Sequence, residues 1–427
     1  MNALLTYVLK ISRWLLGAVF VFSGFVKLID PLGTAYKFQD YFTAMGLERL
    51  SAFALFFSVI LSVIELLIGL NLIAGIRLRI TMLAAAIFMA VMTPLTLWIA
   101  LKNPVSDCGC FGDALIIGNW TTFYKNIILS LLVVVIFLLM RFHVSKLKPK
   151  TEWILMGFSL LFVLAIAHLN YYYLPMLDFR PYKIGNNLSQ EMSTPPGTPV
   201  DVFSTTFILE KNGVKKEFSL DNYPDSTWKF VDQHTRLIKK GYTPAIHDFS
   251  IHDASMNDLT DSLLQLNNYL FLIVAYDLNQ TQTNHLSKIQ NLYQFAQHHH
   301  YACYLLTGST NYDVSNFVQK TGLNIPICTT DPTTLKTVIR SNPGVVLLYH
   351  GTVLNKWANA ALPQFSTPLS NDPKKEMPKI PSAWKVVGLI VLYMLLFWLI
   401  RRWLTNGFTH TKRGNMFYHT TTNYSNK

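Results

Sequence analysis

The sequence predicts a multi-span α-helical membrane bundle joined to an α/β soluble domain. Of its 427 residues, 51% are hydrophobic and only 14% are charged, whereas soluble globular proteins carry about 25% charged residues. Six mostly apolar stretches are each long enough to cross a bilayer. Between the fifth and the sixth, strand-like and helix-like segments alternate, which is typical of βαβ units. This composition excludes a disordered chain and a disulfide-dense secreted scaffold.

The predicted spans follow from apolar runs of about 20 residues. They cover residues 7–29, 51–75, 79–101, 123–141, 151–175 and 384–402. The alternative for the first run is a cleaved signal peptide. We expect a retained span, because no Ala-x-Ala cleavage pattern follows its apolar core.

The basic residues predict the orientation of the spans. Lys and Arg are enriched in cytoplasmic loops, and here they occupy alternate connections, which places 30–50, 102–122 and 176–383 in the periplasm of a bacterium with both termini in the cytoplasm. The net charge of +12 is therefore explained by an inner-membrane location and by the lipid bilayer as partner, and not by nucleic acid. The basic residues concerned are Lys10, Arg13, Arg77, Arg79, Arg141, Lys146, Lys148, Lys150, Arg401, Arg402, Lys412 and Arg413.

The domain organisation follows from the same pattern. Asn212-Gly213 between two strand-like runs predicts a β-hairpin, and 225–240 reads as one helix. We expect the following units: 1–150, a membrane helical bundle; 151–175, the fifth span; 176–242, an exported linker with the hairpin; 243–366, the α/β domain; 384–402, the sixth span; and 403–427, a cytoplasmic tail.

The most informative short stretch is the predicted external loop DCGCFGD, which begins at Asp107. Cys108 and Cys110 are one residue apart, so they can close a small, strained disulfide for which Gly109 supplies the backbone freedom. Strained, exposed disulfides tend to be labile or catalytic. The pair therefore predicts thiol–disulfide exchange at the membrane surface, where electrons could pass to or from a quinone.

Two other interpretations of this loop remain open. A structural disulfide or a tight turn would explain the same spacing, with Gly109 and Gly112 in structural roles. A metal site would draw its ligands from Asp107, Cys108, Cys110 and Asp113, although their spacing is poor for zinc.

Polar residues inside the apolar spans are further candidates, since a charge at a helix centre costs about 2.5–3.5 kcal/mol on insertion scales. Glu65 lies deep in the second span, and Asn71 follows near the same helix face. Lys27 ends the first span, and Lys125 and Asn126 open the fourth. We expect a pocket or proton-linked site that includes these residues and the two cysteines. The alternatives are a structural inter-helix hydrogen bond for Glu65 and snorkelling for the two lysines.

Three motifs together resemble the DoxX/MauE group of bacterial membrane proteins. They are GFVKLIDP from Gly24, Glu65 with Gly69, and CGCFG from Cys108 followed by Lys125-Asn126. MauE-type proteins are associated with methylamine utilisation and with the maturation of a disulfide-rich dehydrogenase subunit, and DoxX-type proteins with quinone-coupled sulfur oxidation. The resemblance implies membrane thiol–disulfide chemistry on envelope proteins that carry thiols or disulfides.

The α/β region resembles the thioredoxin fold in its TlpA or peroxiredoxin form. Pro343 takes the place of the cis-proline of that fold, so we expect a structural role and a cis bond. That group has a reactive cysteine after its first strand, whereas this chain continues Ala275-Tyr276-Asp277, which implies a redox-inactive module. The predicted strands are 270–276, 301–306, 325–329, 345–349 and one near 353, and the predicted helices are 284–298, 313–321 and 333–339.

Two functional hypotheses follow. In the first, Cys108 and Cys110 exchange disulfides with envelope proteins, with a quinone as the candidate cofactor. In the second, the protein is a non-enzymatic membrane-anchored scaffold whose exported domain binds a partner protein.

Overall fold

The computed structural model describes residues 2–105, 107–140, 147–239, 241–365, 373 and 382–417. The basic residues Arg141 and Lys146 and the tail beyond residue 417 lie outside the described residues. Within the described ranges, six helices are long and apolar enough to cross a membrane, at the six predicted positions. The helices form a membrane bundle, and their composition implies a lipid bilayer around them.

The bundle begins with a long helix and a short one that follows it without a loop. Its helices are α1 (Asn2–Ile29), α2 (Pro31–Ala44), α3 (Ala54–Ala74), α4 (Leu78–Lys102), α5 (Asn119–Leu139) and α6 (Pro149–Tyr172). The sequence analysis treated residues 30–50 as a connecting loop, and α2 is the main difference. Asp30 caps α2 by accepting a 2.9 Å hydrogen bond from the Gly33 backbone amide, and Pro31 occupies the first helical turn, a strong start signal.

Helices α1 and α3 pack closely because glycines line their crossing. A Cβ at Gly24 would lie 2.5 Å from the Leu66 backbone nitrogen, and one at Gly69 would lie 2.6 Å from the Val21 backbone nitrogen. Small residues allow membrane helices to approach to backbone contact. This crossing brings α1 side chains within hydrogen-bonding distance of α3.

The described region after α6 contains two separate sheets, followed by the last candidate membrane span. Its elements are α7 (Leu188–Met192), β1 (Val202–Lys211), β2 (Val214–Ser219), β3 (Lys229–Lys239), α8 (Thr260–Leu264), β4 (Tyr269–Val274), α9 (Leu286–His298), β5 (Ala302–Thr307), α10 (Asn311–Thr321), β6 (Ile327–Thr329), α11 (Pro332–Val338), β7 (Gly344–Tyr349), β8 (Thr352–Ala358) and α12 (Ser382–Phe417).

The first sheet is antiparallel, in the order β2-β1-β3. The predicted hairpin is confirmed, because β1 and β2 pair around Asn212 and Gly213, whose φ angles of 54° and 79° suit a tight hairpin turn. The helix predicted for 225–240 is wrong. Residues 229–239 form β3, which pairs along the length of β1, since strand pairing overrides weak local propensity.

The second sheet has the order β6-β5-β4-β7-β8. Strands β4, β5 and β6 are parallel, and β7 and β8 are antiparallel additions. The predicted succession of strands and helices from residue 270 to β8 is confirmed, and so is the cis Asn342–Pro343 bond. The sheet is buried on both faces, with Phe271 towards one face and Leu272 towards the other.

Candidate functional site

The cysteine loop, defined here as residues 107–113, connects α4 to α5. The Sγ atoms of Cys108 and Cys110 are 2.8 Å apart, and both residues are free thiols of intermediate exposure. Gly109 and Gly112 have φ angles of 63° and 51°, a region that L-residues rarely adopt. The loop therefore turns tightly at both glycines, and the two sulfur atoms are held side by side.

Side chains of α1 and α2 hold the backbone of this loop. Ser23 Oγ donates a 2.6 Å hydrogen bond to the carbonyl of Cys110. The Tyr41 hydroxyl donates one of 2.6 Å to the carbonyl of Cys108. Lys37 forms a 2.8 Å ion pair with Asp107. Each cysteine is thus fixed by a hydrogen bond from a different helix.

These three holding residues were missed in the sequence analysis. The sequence did contain a signal for α2, the helix that carries two of them, because Asp30-Pro31 marks a helix start. A helix from Pro31 places Lys37 and Tyr41, four residues apart, on one face. Ser23 lies four residues before Lys27 on α1 and therefore shares its face.

A buried ion pair lies directly beneath the loop. Lys27 Nζ is 2.7 Å from Glu65 Oε2, and the two side chains are only 8% and 7% exposed. Lys27 also donates a 3.1 Å hydrogen bond to Ser23 Oγ. Glu65, Lys27 and Ser23 thus form a continuous polar chain that ends at the Cys110 carbonyl. The structure pairs the two predicted ionisable residues with each other.

A cavity of about 30 Å³ borders this polar chain, and its walls include Lys27, Glu65, Cys110, Lys125 and Asn126. It brings together four of the predicted polar residues and one of the two cysteines. The volume accommodates one or two water molecules.

The remaining predicted residues occupy defined positions. Asn126 Nδ2 donates a 3.1 Å hydrogen bond to Thr96 Oγ1 of α4. Lys125 Nζ lies 4.5 Å from the centre of the Phe111 ring, close to the cysteine loop. Asn71 lies near the C-terminal end of α3, where its backbone carbonyl accepts hydrogen bonds from the backbone amides of Gly75 and Ile76. Unlike Glu65 on the same helix, it does not line the cavity.

The surroundings distinguish the two thiols chemically. The hydrogen bond between the two thiols, together with the cations of Lys125 and Lys27, lowers the pKa of the Cys110 thiol to about 6 against the opposing effect of burial. The same hydrogen bond and burial raise the pKa of Cys108. These shifts favour Cys110 over Cys108 as the thiol that ionises first.

The α/β domain contacts this end of the bundle through a buried arginine. Arg340 Nε lies 2.9 Å from Asp30 Oδ2, and one of its terminal nitrogens lies 3.3 Å from Asp113 Oδ2. Nearby, the Tyr36 hydroxyl donates a 3.2 Å hydrogen bond to the Tyr276 hydroxyl. The segment that precedes Pro343 is thus attached both to α2 and to the cysteine loop.

All the parts of this site except Arg340 lie in one compact region of the chain. Residues 5–140 match the family described as methylamine utilisation protein MauE. This MauE-like region, about a third of the chain, contains α2 to α5, almost all of α1 and the whole cysteine loop. Together with the apolar helices, the match supports a MauE-like, multi-pass membrane protein.

A second match covers residues 203–240, which correspond to the three-stranded sheet, and its family is described only as a domain of unknown function, DUF8463. No curated protein and no solved structure matches the chain. Within the residues that the structure describes, no group of three or more His, Cys, Asp and Glu side chains is arranged to hold a metal ion.

Proposed function

We propose that the protein is a bacterial inner-membrane thiol–disulfide exchange protein that acts on envelope proteins. Cys108 and Cys110 are the exchanging pair. The observation that carries the proposal is the geometry of the cysteine loop, in which the Sγ atoms of two cysteines of intermediate exposure lie 2.8 Å apart. A disulfide bond is about 2.05 Å long, so a small movement within the loop interconverts the dithiol and the disulfide.

The exchange proceeds in two balanced steps. A thiolate of the partner attacks Cys108 Sγ of the disulfide form, the Cys108–Cys110 bond breaks, and Cys110 leaves as a thiolate. The second partner thiolate then attacks the partner sulfur of the mixed disulfide, and Cys108 leaves and takes up a proton. The partner loses two electrons and two protons; the pair gains the two electrons and one proton, on Cys108, and the other proton passes to solvent. The reverse sequence, on a partner disulfide, restores the starting form.

The charges around the site favour Cys110 as the leaving group. A thiol of low pKa leaves faster in exchange, and Lys125 and Lys27 stabilise the Cys110 thiolate electrostatically. Glu65 holds Lys27 in place through the buried ion pair. We assign positioning roles to Lys27 and Glu65 on this basis.

A quinone does not fit the cavity next to Cys110. Its volume of about 30 Å³ accommodates water but not a quinone ring. We therefore derive no step through a quinone, and protein thiols and disulfides serve as both electron donors and electron acceptors.

The α/β domain acts in this proposal as a docking platform for the partner. The segment directly after β4, residues 275–281, has no cysteine, and Arg340 attaches the domain beside the cysteine loop. The orientation predicted by the basic loops places both in the periplasm. The family description, methylamine utilisation protein MauE, suggests a partner connected with methylamine utilisation.

Trapping of mixed disulfides tests the proposal. In a Cys110→Ser variant, Cys108 should accumulate covalent adducts with envelope proteins, because the resolving thiol is absent. The Cys108→Ser variant should accumulate fewer adducts, and a Cys303→Ser variant, in which a buried thiol is removed, should accumulate none beyond wild type. Mass spectrometry of the adducts would identify the partners.

A scaffold without exchange chemistry is the second candidate, and the attachment to the bundle of an α/β domain whose two cysteines, Cys303 and Cys328, are both buried favours it. In that case the Cys110→Ser variant forms no adduct and envelope disulfides stay unchanged. A non-covalent partner would then be recovered equally well with the wild type and with both cysteine variants.

A further inference from the structure

A second, larger cavity lies between the membrane bundle and the α/β domain, and the proposed exchange chemistry does not use it. Its volume is about 260 Å³. On the bundle side its walls come from the start of α2 and from Tyr171, Tyr172 and Tyr173 at the end of α6. On the other side they come from the loops after β4 and before β7 and from the turn after β8. The cavity is smaller than a typical drug-binding pocket of about 300–1,000 Å³, so it suits one ring or one headgroup.

The walls of this cavity are neutral and rich in side-chain amides, which belong to Gln280, Gln282, Asn284, Asn342 and Asn359. Arg340 is the one charged residue that lines the described part of the cavity, and Asp30 and Asp113 already neutralise it. A charged ligand would therefore lose its hydration without gaining a free counter-charge. The wall chemistry favours an uncharged ligand.

The side chain of Asn359 donates hydrogen bonds to two of these amides, while its own oxygen has no partner among the described residues. It is 3% exposed, and its Nδ2 donates to Gln282 Oε1 at 3.1 Å and to Asn284 Oδ1 at 2.9 Å. Its own Oδ1 is buried and has no hydrogen-bond partner among the described residues. An unpaired buried acceptor costs about 1–3 kcal/mol. Because their oxygens face Asn359, Gln282 and Asn284 keep their amino groups as donors for a ligand.

The geometry argues against an extended peptide as the ligand. Strands β4 and β7 are both interior strands of the sheet, so neither offers a free edge for an added strand. The backbone carbonyl of Asn342 already accepts a hydrogen bond from the Gln282 backbone amide at 3.0 Å. A peptide backbone would find these main-chain groups already paired.

We propose that this cavity binds a neutral, polyhydroxylated ring of the hexose class. Each hydroxyl both donates and accepts, which matches walls that carry several side-chain amides, each with a donor and an acceptor group. The apolar face of such a ring packs on the tyrosine rings that close the bundle side. The ligand is either a free sugar or the headgroup of a glycolipid, since the cavity borders the end of a membrane-spanning helix.

Calorimetry on the full chain in lipid nanodiscs distinguishes these sources. One arm titrates free glucose and N-acetylglucosamine, and the other compares nanodiscs with and without monoglucosyl diacylglycerol. We expect saturable binding in one arm. A Gln282→Ala/Asn284→Ala variant should weaken it at least tenfold, whereas Gln294→Ala, an exposed glutamine on α9, should leave it unchanged. Circular dichroism confirms that each variant is folded.

Charge selectivity supplies an independent criterion. Glucuronate should bind at least tenfold more weakly than glucose, because the arginine in the wall is already paired. The proposal is overturned if neither arm shows saturable binding, if the double variant binds as the wild type does, or if glucuronate binds more tightly than glucose. None of these outcomes bears on the cysteine exchange, which the adduct experiment tests separately.

Discussion

The thiol of Cys110 lies near the thiol of Cys108 and the cations of Lys125 and Lys27, and these groups lower its pKa. Its pKa of about 6 is below the ordinary value of about 8.5. A depressed pKa in the folded state stabilises the reduced protein above the ordinary thiol pKa, and that stabilisation is lost as the pH falls through 6. Reduced protein should therefore gain stability between pH 5 and pH 8, whereas at higher pH the raised pKa of Cys108 opposes the effect.

The ultraviolet absorbance of the thiolate tests this assignment. Titration of the reduced protein should show one thiolate forming near pH 6, and Lys125→Met should move that midpoint upward because a neighbouring cation is removed. Lys102→Met, which removes an exposed lysine at the end of α4, is the matched control. A midpoint near 8.5 in the wild type would contradict the assignment.

The Lys27–Glu65 pair is nearly excluded from solvent, so its two charges depend on each other. Lys27→Met or Glu65→Gln alone should lower the free energy of unfolding by about 3–5 kcal/mol, because each leaves an uncompensated buried group. The double variant should lose much less than the sum. Denaturation in detergent measures all three, and simple additivity would argue against the pair.

At the residue scale, sequence patterns revealed the chemical groups but not their partners. The cysteines, Lys27 and Glu65 stand out because such residues are unusual near or inside apolar spans. Their contacts to Ser23 and Tyr41 could not be predicted, since the Ser23 hydrogen bond to Cys110 joins positions 87 residues apart. Local periodicity carries no information about such pairs.

At the element scale, the close crossing of α1 and α3 is what joins Lys27 to Glu65. The crossing depends on glycines whose hydrogens face a neighbouring backbone. In the three-stranded sheet, by contrast, the local sequence was misleading. The apolar residues of β3 were compatible with a helix, and pairing with β1 makes the segment a strand. Long apolar helices were predictable from composition, whereas strand partners were not.

A bulky residue in the crossing tests the role of the glycines. Gly69→Leu should destabilise the bundle by about 1–3 kcal/mol through overpacking and should also move Lys27 away from Glu65. Gly157→Leu on α6, where a Cβ has no neighbour within 4 Å, is the control and should have little effect. Equal thermal stability of the two variants would contradict this description.

At the scale of the whole molecule, two buried arginines connect the α/β domain to the membrane bundle and its linker. Arg340 joins Asp30 across 310 residues of sequence. Arg180, in the segment after α6, donates a 2.9 Å hydrogen bond to the carbonyl of Thr337 in α11. Lys356 of β8 lies 2.9 Å from Asp178 in that same segment. Sequence analysis could predict both domains but not their contact, which depends on charges on separate surfaces.

Removal of Arg340 should loosen this contact. In an Arg340→Met variant, hydrogen exchange should rise in α2 and in residues 107–113, because Asp30 and Asp113 lose their partner and the covering segment moves away. Arg236→Met, which removes an exposed arginine of β3, should leave exchange there unchanged. Unaltered protection in the Arg340 variant would show that other contacts hold the domains together.

The central claim is that Cys108 and Cys110 interconvert reversibly between a dithiol and a disulfide. Equilibration of the full-length protein in buffers of graded redox potential, followed by mass-spectrometric counting of free thiols at each position, measures this directly. The buried Cys303, whose pKa burial raises to about 12, provides an internal unreactive reference. We expect a reversible two-electron transition above about −300 mV, the range of labile disulfides. A pair that stays fully reduced, or fully oxidised, across the whole series would contradict the account.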